Sequence, residues 1–233
     1  NKNNRWTKPY LNKMKKKIEQ DEKLKIVISR LKLKFMKNTD ALLHGDLHTG
    51  SIMVTKKDTK VIDPEFAFYG PMGFDIGALI ANLLMSFFSQ TGHEKKFGER
   101  KKYKKWLLEI IKTIWIKFEN KFLKLWETEN DGDAYPKVLF KKNSKKMILE
   151  KKMYMQNLFE ETISYAGAKI IRRIYGFAHN IDFEWIENTK VRANCEYKAS
   201  NLAIEMLKNS NSFKSINDLI KAAKMNENIK ANL

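Results

Sequence analysis

His44-Gly45-Asp46-Leu47-His48-Thr49-Gly50-Ser51, followed by Ile62-Asp63-Pro64-Glu65, decides how this chain reads. Ser51-Ile52-Met53-Val54-Thr55 and Lys60-Val61-Ile62-Asp63 are β-rich runs separated by the four polar residues Lys56-Lys57-Asp58-Thr59. That pattern predicts a hairpin. A hairpin returns the chain to the end where it began, so Asp46, before the first strand, and Asp63, after the second, are expected side by side. Two carboxylates on irregular backbone at one end of a hairpin form a candidate base and divalent-metal pair. Phosphoryl transfer uses such a pair, one carboxylate orienting a hydroxyl and taking its proton, the other holding magnesium against nucleotide phosphates.

Outward from this stretch the pattern is helical. Residues 12–38 place Met14, Ile18, Ile26, Leu31 and Phe35 among charges. Ala41-Leu42-Leu43 is a short apolar run entering the loop. Phe66 to Phe74 contains Gly70, Pro71 and Gly73 and reads as a loop, with Asp75 at the N-cap position of a helix beginning Ile76-Gly77-Ala78. Tyr103, Trp106, Leu107, Ile110, Ile111, Ile114, Phe118, Phe122 and Leu125 predict one face of a long amphipathic helix. Helices are further expected over 151–174, 188–207 and 215–224, with Gly176 as a break. Asp131-Gly132-Asp133 reads as a loop too short in oxygen ligands for calcium. The expected fold is mainly α with a small β-hairpin, built as a single unit over residues 1–233.

Composition narrows the function classes. Of 233 residues, 45 are Lys or Arg and 27 Asp or Glu, giving a net charge of +18. Only Arg5, Arg30, Arg100, Arg172, Arg173 and Arg192 are arginine, and the lysines are spread along the chain. Nucleic-acid readers gather arginine and aromatics on one surface, so the charge reads as a lysine-rich surface and not as a nucleic-acid site. A single cysteine, Cys195, excludes an internal disulfide and fits a reducing, cytoplasmic setting. The longest apolar run, Ile76 to Phe88, suits a buried helix better than a membrane span.

The motifs also carry a resemblance. His-Gly-Asp followed by Asp-x-Glu after a hairpin resembles the aminoglycoside and choline kinase group, relatives of the protein kinases. The longer strings His44 to Ser51, Val61-Ile62-Asp63-Pro64-Glu65-Phe66-Ala67-Phe68-Tyr69-Gly70-Pro71 and Gly73-Phe74-Asp75-Ile76-Gly77 resemble the signature of the 5-methylthioribose kinase family. Arg172-Arg173 and Gly176-Phe177-Ala178-His179-Asn180 are similar to that family's paired-arginine segment. The resemblance implies the C-terminal lobe of a protein-kinase-like fold and an ATP- and Mg²⁺-dependent phosphotransferase. Its sugar acceptor would be phosphorylated at O1 in methionine salvage, and it would work as a homodimer. It assigns Asp46 as the catalytic aspartate, Asp63 and Glu65 as the magnesium and nucleotide site, and Arg172 and Arg173 as contacts to substrate and the transferred phosphate. Ser51 falls where the wider group carries a metal-binding Asn, and a hydroxyl is the poorer ligand. His44 is expected to brace the loop, as neutral imidazoles commonly do. The role of His48 stays open between brace and substrate contact. Asp75 is expected to brace the loop while capping its helix, and Cys195 to be inert.

Each acid also has a plainer reading: Asp46 as a turn residue, Asp63 and Glu65 as a solvated pair, and the two arginines as helix surface. Upstream of His44 no glycine-rich turn or strand lysine appears. Gly45 is the first glycine, and the chain begins at Asn1. A nucleotide-clamping lobe is therefore expected to be missing and this chain alone to be inactive. The rival readings are a kinase of choline, an aminoglycoside or homoserine, a non-catalytic binding lobe, and a nucleic-acid binder.

Overall fold

The computed structural model describes residues 3–129, 132, 134–136, 138–140 and 144–233. Asp131 and Asp133 of the expected loop lie outside these residues. The elements run α1 (Asn12–Gln20), α2 (Glu22–Lys37), β1 (Ala41–Leu43), β2 (Ile52–Val54), β3 (Thr59–Val61), β4 (Phe68–Gly70), α3 (Gly73–Ser89), α4 (Lys101–Thr128), α5 (Lys145–Tyr175), α6 (Ile181–Glu184), α7 (Thr189–Lys208) and α8 (Ile216–Glu227).

The fold is mainly helical, as expected, and the predicted hairpin is present. β2 and β3 pair antiparallel with Ile52 opposite Val61 and Val54 opposite Thr59. A second ladder was not expected. β4 forms within the stretch read as a loop and pairs antiparallel with β1, placing Leu43 opposite Phe68 and Ala41 opposite Gly70. Its three residues carry no alternation of their own. Pairing with a strand 27 positions upstream makes them a strand, which is a tertiary effect.

The helical stretch over 12–38 is two helices. Asp21 ends α1 with extended backbone and caps α2, its carboxylate accepting from the Leu24 N–H at 3.0 Å. α3 begins at Gly73, so Asp75 sits in its first turn and not at the N-cap, which is Met72 without a side-chain cap. α4 matches the predicted long helix, but its buried face is Leu107, Leu108, Ile111 and Trp115. Tyr103, Trp106 and Leu125, placed on the core side by periodicity, are exposed. A 28-residue helix meets the core only along its middle turns.

α3 is the central element. Its 17 residues are buried on nearly every side, and it packs on α5, α4 and α7. The approach to α5 is close: a Cβ on Gly77 would lie 2.7 Å from the Thr162 carbonyl oxygen. Phe35, Phe68, Phe74 and Tyr165 form a chain of tilted and edge-on rings, centroids 5.1–6.0 Å apart, joining α2, β4, α3 and α5. Among the described residues no helix is long and apolar enough to cross a membrane.

Candidate active site

The loop leaving β1 is held by α3 from below. Gly45 has φ +86°, and a Cβ there would fall 2.0 Å from the Phe66 carbonyl oxygen, so only glycine fits the turn. The buried Asp75 carboxylate accepts the His44 N–H at 2.6 Å and the Gly45 N–H at 3.1 Å. Seven residues on, and so on the same face of α3, Asn82 Oδ1 accepts the Thr49 N–H and hydroxyl. The bracing expected of Asp75 is present, and it comes from within the helix.

His44 ties the loop to the far end of the hairpin. Its Nδ1 accepts the Asp46 N–H at 3.3 Å, and its Nε2 lies 2.8 Å from the Ile62 carbonyl. One neutral tautomer, protonated at Nε2, satisfies both. The Ile62 N–H in turn donates to the Ser51 carbonyl at 2.9 Å. Asp63 therefore follows a residue tied to both ends of the loop that carries Asp46. His48 braces as well, with Nδ1 accepting the Gly50 N–H at 2.9 Å while Nε2 stands 3.7 Å from Asp46 Oδ2. Ser51 is buried, and its Oγ accepts the His48 N–H and donates to the His48 carbonyl. That hydroxyl is occupied in holding the turn.

Asp46 faces α5. Its Oδ1 lies 3.0 Å from the Lys169 ammonium and 3.8 Å from the Arg173 guanidinium. Its Oδ2 has no partner within hydrogen-bonding distance among the described residues. Burial raises the Asp46 pKa, but the Lys169 hydrogen bond and charge, with His48 and Arg173 behind, outweigh it and hold the carboxyl below its ordinary range. Burial dominates at the more enclosed Lys169 and pulls its ammonium below the usual lysine value, against the opposing pull of Asp46. Lys169 is a residue the sequence reading missed. It precedes Arg172 and Arg173 by three and four positions, which puts all three on one helix face. Arg173 also donates to the His179 carbonyl at 3.4 Å, whereas the Arg172 side chain is exposed and makes no hydrogen bond among the described residues.

Asp63 and Glu65 are both exposed, and neither carboxylate has an internal partner among the described residues. Asp63 takes φ 65°, a left-handed conformation uncommon outside glycine and held here by the turn that meets Gly45. No group of three or more His, Cys, Asp or Glu side chains among the described residues is arranged around a cation. Two free hard carboxylates nevertheless fit magnesium, which is commonly held by one or two carboxylates together with substrate phosphates. A groove of about 580 Å³ between α4, α5 and the start of α8 is lined by Trp115, Met155, Phe159 and Ile216 and includes none of these residues. Chemistry and not concavity locates the site.

Comparison with known proteins bears on these same residues. Residues 2–100, which include the whole loop and hairpin, match the model of the phosphotransferase enzyme family. The chain is 48% identical over 219 residues to methylthioribose kinase 1 of Oryza sativa subsp. japonica, covering 93% of this chain and 51% of that protein. It is 41% identical over 222 residues to methylthioribose kinase of Escherichia coli O45:K1, covering 95% of this chain and 53% of that protein. The chain belongs to the methylthioribose kinase family. It spans about half the length of the curated relatives it matches. Membership in this family agrees with the resemblance carried by the loop, the hairpin and the paired arginines, and the matched region reaches well beyond them.

Proposed function

We propose that this chain carries the acceptor-activating site of an ATP-dependent kinase. The enzyme would phosphorylate the O1 hydroxyl of S-methyl-5-thioribose, giving the 1-phosphate and ADP in methionine salvage. The observation that carries the reading is the two-sided state of Asp46. One carboxylate oxygen is engaged by Lys169, the other is open, and the group is kept ionised. An ionised carboxylate with one open oxygen, on a loop fixed by Asp75, Asn82 and His44, is suited to orient a hydroxyl and accept its proton.

Asp46 takes the O1 proton as the sugar oxygen attacks. Arg173, beside Asp46, and Arg172, one position along the same helix, offer permanent charge to the phosphate oxygens. Magnesium, held by Asp63 and Glu65, would neutralise charge on the nucleotide phosphates. The face of α5 toward the loop carries three cationic side chains against the single Asp46 carboxylate. This favours a neutral polyol over cationic acceptors such as choline or an aminoglycoside. The homodimer implied by the family resemblance is part of the same proposal.

The test is an acceptor panel with Mg-ATP, run on the enzyme that carries this chain. Turnover of methylthioribose, with choline, kanamycin and homoserine inert, is expected. Phosphorylation of kanamycin but not of methylthioribose overturns the reading.

A further inference from the structure

Lysine is rarely enclosed unless it is paired, and Lys169 is only 8% exposed. Its ammonium reaches Asp46 Oδ1 at 3.0 Å, and it passes 5.9 Å from the centroid of the Phe74 ring of α3. It thus connects the catalytic loop to α5, while Asp75 connects the same loop to α3. The two acidic oxygens differ as a result. Oδ1 is shared by Lys169 and Arg173, and among the described residues Oδ2 has only the His48 ring, at 3.7 Å.

We propose that Lys169 is the positioning residue of the transfer: by claiming Oδ1 it fixes the Asp46 rotamer and reserves Oδ2 for the acceptor hydroxyl. This rests on the kinase reading above. In the step it serves, the hydroxyl proton passes to Oδ2 as the acceptor oxygen bonds to the γ-phosphorus of ATP. The bond from that phosphorus to the ADP oxygen breaks, and ADP leaves with the electron pair. Lys169 gives up no proton and forms no bond. It acts by holding the base in one orientation and in its charged form.

The charged and titratable groups facing the pair are few. Asp46 meets Lys169 and Arg173 from α5 and His48 from its own loop. Lys169 meets Asp46 from the loop and Arg172 and Arg173 from its own helix. Asp75 of α3 is turned to the His44 and Gly45 N–H groups. Removing the Lys169 charge therefore removes the strongest influence holding the Asp46 carboxyl down, and a lone opposite charge at this range lowers a carboxyl by about one to three pH units.

The experiment is the pH profile of kcat/KM for the wild type, Lys169→Met, Lys169→Gln and Lys169→Arg in the active enzyme. It is paired with carboxyl-carbon NMR titration of Asp46 in the same proteins. Lys169→Met is expected to lower kcat about 10- to 100-fold, the range for a misplaced reacting group, with KM for the sugar little changed. Its acid limb should move up by about one pH unit or more. Lys169→Gln, which keeps a hydrogen-bond donor without the charge, should retain more kcat yet show the same raised limb, and it decides the matter if the methionine variant does not fold. Lys169→Arg should return the limb to its wild-type position. A wild-type acid limb and an unchanged Asp46 titration in the neutral variants overturn the proposal. Absence of turnover in the wild type itself counts against the kinase reading, and the NMR titration then still judges Lys169.

Discussion

Replacing Asp75 by asparagine tests whether the loop that carries Asp46 is held by a charge on α3. The carboxylate accepts two backbone N–H groups, from His44 at 2.6 Å and Gly45 at 3.1 Å, and the residue is 8% exposed. Hydrogen bonds to a charged acceptor contribute about 1.5–3 kcal/mol each, and neutral ones about 0.5–1.5. Asparagine keeps one carbonyl, so one bond survives at a loss of about 1 kcal/mol. Its amide presents hydrogens to the second N–H, so that bond is lost and a buried donor is left unsatisfied, costing about 2 kcal/mol. The first turn of α3 also loses a favourable anion, worth about 0.3–1 kcal/mol. The total is about 3–4 kcal/mol. At about 2–4 °C per kcal/mol for a chain of this size, Asp75→Asn should unfold about 10 °C below the wild type by far-UV circular dichroism. Freed from its brace, the loop should also misplace Asp46 and reduce kcat about 100-fold. A Tm within 2 °C of wild type together with normal turnover would refute the argument. It would mean that solvent satisfies the loop N–H groups and that the loop holds its shape without α3.

Two further substitutions probe the frame. Gly45→Ala places a Cβ 2.0 Å from the Phe66 carbonyl at φ +86°, so it should abolish turnover and lower Tm by at least about 2 °C, from conformational strain of about 1–2 kcal/mol before any clash; a crystal structure with an undisplaced loop would contradict this. Glu196 is 2% exposed on α7, and burial, against the pull of the Thr7 hydroxyl and Arg192, raises its pKa from 4.5 to about 7. Between those values the native state holds a proton that the unfolded chain releases, so this residue's contribution falls as pH rises from about 4.5 to 7. Glu196→Gln should therefore gain stability relative to the wild type between pH 5 and pH 8, measured as urea midpoints; an identical difference at both pH values would show that Glu196 does not titrate in that window.

The parts of the site legible in the sequence were those written in local chemistry. The polar tetrad Lys56-Lys57-Asp58-Thr59 between two β-rich runs marks a turn, so the hairpin could be read directly. β4 could not, because Phe68-Tyr69-Gly70 becomes a strand only when β1 is beside it. Asp75 is expected both to cap its helix, because acids favour helix starts, and to brace the loop; its carboxylate does the second alone, accepting the His44 and Gly45 N–H groups from within the first turn. Lys169 was hidden by composition: one lysine among so many carries no signal until its burial and its partner are seen. Cys195 was read as inert, and its burial, which raises the thiol to about 12, agrees.

Why two helices should share one short loop follows from how they pack. The surface of Gly77 lets α3 approach the backbone of α5 at Thr162 and Ala166. This brings Asp75 and Lys169, on different helices, within reach of consecutive loop residues. Asp75 takes hold of main chain, where an anion is needed for N–H donors. Lys169 takes hold of a side chain, where a cation is needed for a carboxylate. Exchanging the charges would leave both partners unsatisfied, so the polarity of each contact is set by what it must hold. The contact between half-buried Phe74 and buried Tyr165 spans the same two helices with its ring centroids 5.5 Å apart, and a disturbance of that packing should reach Asp46 through both supports at once. The geometry around Asp46 is in this sense a property of the α3–α5 interface, and the loop that carries the recognisable sequence is the part that interface positions.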